Sequence, residues 1–210
     1  MKRNGAQRTQ PARGSPVASV GPSAPPCFPT PLCRPIDISA LVVSFDGSYT
    51  LDATGVSSRA GWGFTVAAPS SGFLADFCGP VVVSPFADFF IGAERATNNT
   101  AELSALTYAL RWVSYFTGSC TVIIEFDSTY AANVGRRLYR AASNFALVLS
   151  ARAAVDAAGA ERVLQWSHID SHTGNLLNDR ADGLAKFGAL GRHRSTDSTA
   201  LAKVIGSFSA

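Results

Sequence analysis

The chain predicts an α/β domain built on a mixed sheet of five strands, three antiparallel and then two parallel, with helices on its flanks. Two observations predict it. Three short β-rich runs follow one another, LVVSFDGSY (41–49), GWGFTVAAP (61–69) and FLADFCGPVVV (73–83), punctuated by Gly, Ser and Pro as a meander requires. Beyond them strands and helical stretches alternate, and parallel strands joined through right-handed helical crossovers are what that alternation needs.

Each later element has its own local reason. In TNNTAELSALTYALRWVSYF the residues Leu106, Leu110 and Val113 recur at helical spacing behind an Asn-Asn-Thr cap signal. CTVIIEFDS (120–128) reads as the fourth strand, and helical material from Thr129 to Ala158 follows, broken near Ser143 and Asn144. RVLQWSHID (162–170) is the fifth strand, and the loop SHTGN leads into a last helix over 175–190. No internal repeat is visible.

The domain so outlined covers 38–191. With 210 residues and 47% apolar side chains, one ordinary core can be filled and the ends left over. Eight of the eleven prolines fall between Pro11 and Pro35, so residues 1–37 read as a disordered Pro/Arg-rich extension, a linker more readily than an organelle-targeting helix. Residues 192–210 read as a flexible Ser/Thr-rich tail. The net charge of +3 is misleading: residues 1–36 hold five basic groups and no acid, while 37–191 hold 10 basic and 14 acidic groups, a balance of 10 − 14 = −4. Bulk charge therefore does not announce a nucleic-acid partner. Four cysteines without CxxC spacing argue against a zinc site or a disulfide framework. No apolar run is long enough to span a membrane, and MKRNGAQRTQ lacks the apolar core of a secretory signal. An intracellular protein is expected, in nucleus or cytoplasm ahead of mitochondrion.

Five residues sit where such a domain ordinarily places apolar or small side chains: Asp46, Glu102, Asp127, His172 and Asp182. Asp46 closes one strand run and Asp127 another, so a fourth strand placed beside the first would make them neighbours. Glu102 opens the helical stripe of Leu106, Ala109 and Val113. Asp182 lies four residues after Asn178, on a face continued by Ala185 and Ala189 that lets the helix approach closely. Each has a plain reading, a turn-forming Asp or a Glu favoured by the helix dipole. Together they form a cluster of acids that would repel one another unless divalent cations neutralised them. His172, in a Gly-containing loop, suits a proton carrier better than a fixed ligand. Glu125 shares the face of Asp127 and reads as a solvated or Arg-paired group, His168 as a hydrogen-bonded structural residue, and Trp166 as core.

The segments FDGSY, TNNTAEL, EFDSTY and SHTGNLLNDRADGLA, in this order and spacing, resemble the ribonuclease H family. The resemblance runs from about Ile38 to Gly191 and includes a histidine ten residues before the final aspartate. It implies a ribonuclease H-like fold of type one and hydrolysis of the RNA strand of an RNA:DNA hybrid. Asp46, Glu102, Asp127 and Asp182 would hold two Mg²⁺ ions, with Mn²⁺ as a substitute, and cleavage would leave a 5′ phosphate and a 3′ hydroxyl. His172 would assist proton traffic or product departure. Gly47, Ser48, Asn98 and Asn99 match positions that contact the hybrid's minor groove, Thr97 one that seats a DNA-strand phosphate, and Asn178 joins the substrate-binding set.

Two departures stand out. The basic helix and loop that some cellular members insert is reduced here to RRLYR (136–140), as in retroelement or archaeal relatives. A long aromatic insertion, SPFADFFIGAER (84–95), precedes TNN and reads as an extra strand, a lid or a partner surface. A monomer is expected, either stand-alone or derived from a retroelement polyprotein. The alternative functions are a catalytically idle hybrid-binding or connection module, and a DNA nuclease or recombinase on the same superfold.

Overall fold

The computed structural model describes residues 39–51, 58–68, 70, 73–115, 120–170 and 174–195. The expected N-terminal extension, most of the expected tail and His172 lie outside the described residues. No described helix is long and apolar enough to cross a membrane.

The meander comprises β1 (Ala40–Leu51), β2 (Ser58–Ala68) and β3 (Phe73–Pro80), and helix α1 (Asn98–Tyr115) follows. Strand β4 (Thr121–Phe126) leads to α2 (Thr129–Gly135) and α3 (Phe145–Gly159), and β5 (Val163–His168) leads to α4 (Leu176–Ala189). The strands lie in the order β5-β4-β1-β2-β3-β6, where β6 is the short strand Arg194–Ser195. β4 pairs parallel with β1 and with β5; the other pairs are antiparallel.

A short sixth strand adds an edge to the five expected. After α4, Gly191 takes a left-handed turn (φ 78°) and the chain runs back along β3, with Ser195 opposite Phe77 and Arg194 opposite Cys78. Its Arg194 guanidinium stands 3.6 Å from the Asp76 carboxylate of β3. Two residues are too few to show strand periodicity, and the anchoring charge lies far away in sequence.

In-register strand partners share a face, so the pairing divides the sheet into two unlike surfaces. One carries Leu41, Val43 and Phe45 of β1, Phe64 and Val66 of β2, and Val122 and Ile124 of β4, all buried. On it pack Leu103, Leu106, Leu110 and Val113 of α1, backed by Leu147, Val148 and Ala151 of α3. Trp166 joins the margin of this core, as expected, with the Arg136 guanidinium 5.3 Å above its ring. The other surface carries a polar row across five strands: Asp76, Thr65, Ser44, Glu125 and Ser167 stand side by side.

Helix α4 covers β2, β1 and β3 on that polar side, and small residues bring it close. A Cβ on Gly63 would meet the backbone of Ala181 and Ala185, one on Gly61 the backbone of Ala185 and Ala189, and one on Gly188 the Gly79 peptide. Arg180 of α4 forms a bidentate pair with the buried Asp76, at 2.6 and 2.5 Å. Thr65 adds a hydroxyl donor to Asp76 at 3.1 Å.

The insertion at 84–95 is neither strand nor helix but a chain of turns. Ile91 and Ala93 enter the core, the Tyr108 hydroxyl donates to the Phe89 carbonyl at 2.6 Å, and the Asn144 side chain accepts from the Glu94 amide at 3.0 Å. Its aromatic side chains stay nearer the surface: Phe89 and Phe90 are half-buried and Phe86 is 98% exposed.

Candidate active site

Two strands of unequal reach create the site. β1 runs on past Asp46 to Leu51 along β2, but its pairing with β4 stops at Ser44 opposite Glu125. Asp46 is therefore at the end of the sheet on its β4 side only. The next residue on its face from β4 is Asp127, just beyond the strand. The expectation that Asp46 closes its strand is corrected in this sense.

Glu102 arrives from the opposite face. Thr97 caps α1 reciprocally with Thr100: the Thr100 amide donates to Thr97 Oγ1 at 3.2 Å, and the Thr97 amide donates to Thr100 Oγ1 at 2.9 Å. The cap is thus Thr97 rather than the Asn-Asn-Thr run, and Asn98 and Asn99 occupy the exposed first turn. One turn on, Ala101 and Glu102 rest directly on Gly47, where a Cβ would collide with the Glu102 amide and the Ala101 carbonyl carbon. Glycine at 47 lets α1 sit low enough to bring Glu102 beside Asp46.

One ligand oxygen from each of Asp46, Glu102 and Asp127 lies within 4.8 Å of the others. Asp46 and Glu102 are buried, at 8% and 6% exposure, and Glu102 Oε2 finds no hydrogen-bond partner among the described residues. Burial, then the Asp127 charge, raises Asp46 to about 7, against which the Gly47 amide, donating to Oδ1 at 2.6 Å, works only in part. Burial and then the charges of Asp46 and Asp127 push Glu102 well above the carboxylate range. So much desolvated oxygen in one place fits a hard divalent cation.

Asp182 stands outside this trio. Its Oδ2 accepts from Lys186 at 2.6 Å, one turn along α4, although its charge is felt at Asp46. Asn178 is buried four residues earlier; its amide donates to Asp127 Oδ2 at 3.3 Å, and its Oδ1 finds no partner among the described residues. Gly47 and Ser48 are half-buried on β1. Glu125, half-buried, accepts from Asn175 at 3.2 Å rather than from an arginine. His168 is exposed, its ring edge-on to Phe126 with centroids 5.5 Å apart.

Sequence reasoning passed over Asn175 and Lys186. The first had a signal, a capping residue ahead of a helical pattern, and its side chain does accept from the amides of Leu177 and Asn178. The second was marked by its spacing of four from Asp182.

The surroundings of these carboxylates match known proteins in sequence and in fold. Relatives called Ribonuclease H from Herminiimonas arsenicoxydans and from a Janthinobacterium strain are 32% and 31% identical, over 48% of this chain and 73% and 74% of their own lengths. Among solved structures, the RNase H1 of the halophilic archaeon Halobacterium salinarum superposes with a TM-score of 0.52 at 21% identity, covering 71% of this chain and 96% of that one. LC9-RNase H1, a type 1 RNase H with the type 2 active-site motif, gives 0.54 at 21% identity, covering 80% and 83%. The family model described as RNase H matches residues 39–190, a span that begins one residue before β1 and ends one residue after α4. The chain belongs to the ribonuclease H family and is a hydrolase of that type.

Proposed function

We propose that the protein hydrolyses the RNA strand of RNA:DNA hybrids at the cluster of Asp46, Glu102 and Asp127, with Asp182 as the fourth acid, leaving a 5′ phosphate and a 3′ hydroxyl. The observation that carries this reading is the convergence of three carboxylates within 4.8 Å, two of them buried, at the open end of β1 and β4. A solvated surface cluster would not need burial. Acids that are buried together repel one another more strongly as water is excluded, and a bound cation relieves that repulsion.

Asp46, Glu102, Asp127 and Asp182 would hold two magnesium ions, for which manganese is the natural substitute. Bound there, the ions supply an activated water and neutralise charge building on the leaving 3′ oxygen. The protein's own groups prepare that chemistry. Gly47 fixes the Asp46 carboxylate through its amide, Asn178 steadies Asp127, and Lys186 compensates Asp182. Asn98 and Asn99 present exposed amides beside Glu102, where the 2′-hydroxyls of a hybrid's minor groove can be read, and Gly47 and Ser48 continue that surface. Thr97 would seat a DNA-strand phosphate next to its cap. His172 would carry protons or speed product departure.

The test is cleavage of an end-labelled hybrid with Mg²⁺, followed by Asp46→Asn and Asp127→Asn. Nicks with 5′ phosphates that vanish in both variants are expected. Undiminished cleavage by either variant removes the mechanism; hybrid binding without turnover selects the idle module, and preference for duplex DNA selects the nuclease or recombinase.

A further inference from the structure

We infer that Glu125 and Asn175 form a positioning pair that sets where α4, and with it Asn178 and Asp182, stands relative to Asp127. The inference rests on the hydrolytic reading above and adds to it two residues outside the acid cluster.

The Asn175 amide is used at both ends. Its Oδ1 accepts from the backbone amides of Leu177 and Asn178 at 3.0 and 3.1 Å, and its Nδ2 donates to Glu125 Oε2 at 3.2 Å. Backbone amides can only donate and a carboxylate can only accept, so this orientation of the side chain is the one the network allows. A helix cap needs the acceptor alone, and Asp or Ser would supply it equally well. The Nδ2 bond has nothing to do with capping.

It also keeps a further half-buried carboxylate two residues from Asp127 on the same strand face. Another acid there adds repulsion to a site already crowded with it, so packing alone does not account for Glu125. What the bond achieves is reach. The body of α4 rests on β2, β1 and β3, whereas its first turn is tied across to β4 by two side-chain amides, Asn175 to Glu125 and Asn178 to Asp127. Asp182 lies one turn beyond Asn178 on the same face, so a shift of the first turn moves both. Groups that orient metal-binding carboxylates from behind typically cost about 10- to 100-fold in activity or metal affinity when lost.

The test compares Asn175→Asp, which keeps the cap and turns the donor into an acceptor, with the double variant N175D/E125Q. In the double variant the new glutamine amide on β4 can donate to the new carboxylate at the helix cap, so the bond is remade in reverse. N175D is expected to melt near the wild type, keep KM within about twofold and lose about tenfold or more in kcat. The double variant is expected to recover to within about threefold of the wild-type kcat. Glu125→Leu, which leaves the cap untouched, should repeat the loss. Wild-type kcat in N175D, or no recovery in the double variant, overturns the pair. If the wild-type protein cleaves no hybrid, the hydrolytic reading fails, and the pair is judged by amide hydrogen exchange over 174–182 in the metal-free protein. Faster exchange in N175D, restored in the double variant, supports it; identical exchange overturns it.

Discussion

The two faces of the sheet are built on opposite principles. Under α1 and α3, large apolar side chains such as Phe45, Phe64 and Ile124 fill the space and the helices are held off by their bulk. Under α4 the strands offer Gly61, Gly63, Thr65, Ser44 and Asp46, and the helix comes down almost onto the backbone. Burying a Phe is worth a few kcal/mol, whereas desolvating carboxylates costs free energy. The apolar face supplies stability that the polar face consumes. The acids meet where the two faces join, at the edge left when β4 stops short.

The strongest way to break this division is on the polar face. Asp46→Asn is expected to lower hybrid hydrolysis by about 10⁴-fold, about 5.5 kcal/mol of barrier, while the metal-free protein melts no lower, because a repelling buried charge has gone. Steady-state rates beside a melting curve of the metal-free protein check it, and a large drop in melting temperature would show that the acid supports the fold. Phe64→Ala, in contact with the same strand pair but on the other face, is expected to cost about 3–5 kcal/mol of stability in denaturant unfolding. Its rate per folded molecule should stay within a few-fold of wild type.

Gly63→Ala tests the close approach itself. The added methyl meets the backbone of Ala181 and Ala185 and the Leu184 side chain, so α4 must lift. A loss of about 1–3 kcal/mol is expected, with kcat falling more than that loss explains, since Asp182 rides on the helix. If kcat is unchanged, the height of α4 does not matter.

The last prediction is a pH dependence. Asp46 in the metal-free fold is raised from 3.8 to about 7, and Glu102 shifts in the same direction. A carboxyl raised by folding contributes stability that is full below its unfolded value and is lost as pH rises through its folded value. Metal-free protein should therefore lose stability between about pH 4 and pH 7, a slope reduced in Asp46→Asn and offset by added Mg²⁺. A flat melting profile over that window would contradict the burial argument.

How much of this was legible in the chain differs element by element. Alternation and turn residues located the meander, and the break before Asn144 was visible because helix α3 begins after a residue in left-handed conformation (φ 55°) of the kind Asn tolerates. The four acids stood out because they interrupt strand ends and helix faces that otherwise carry apolar or small residues. Glu125 was misread because its partner, Asn175, lies 50 residues away. β6 was missed because two residues carry no period. Lys186 was overlooked because a surface lysine is ordinary until its partner is identified.

What the sequence by itself determined is the five main strands and the helices beside them, with the acids as candidates, since both readings follow from local periodicity and from charge placed among apolar positions. Only the tertiary structure decided that Asp46, Glu102 and Asp127 converge while Asp182 stands apart from them. That outcome depends on where β4 stops pairing and on glycines at 47, 61 and 63 that let two helices approach from opposite faces. Such distances are set by contacts between residues far apart in the chain, and no local pattern records them.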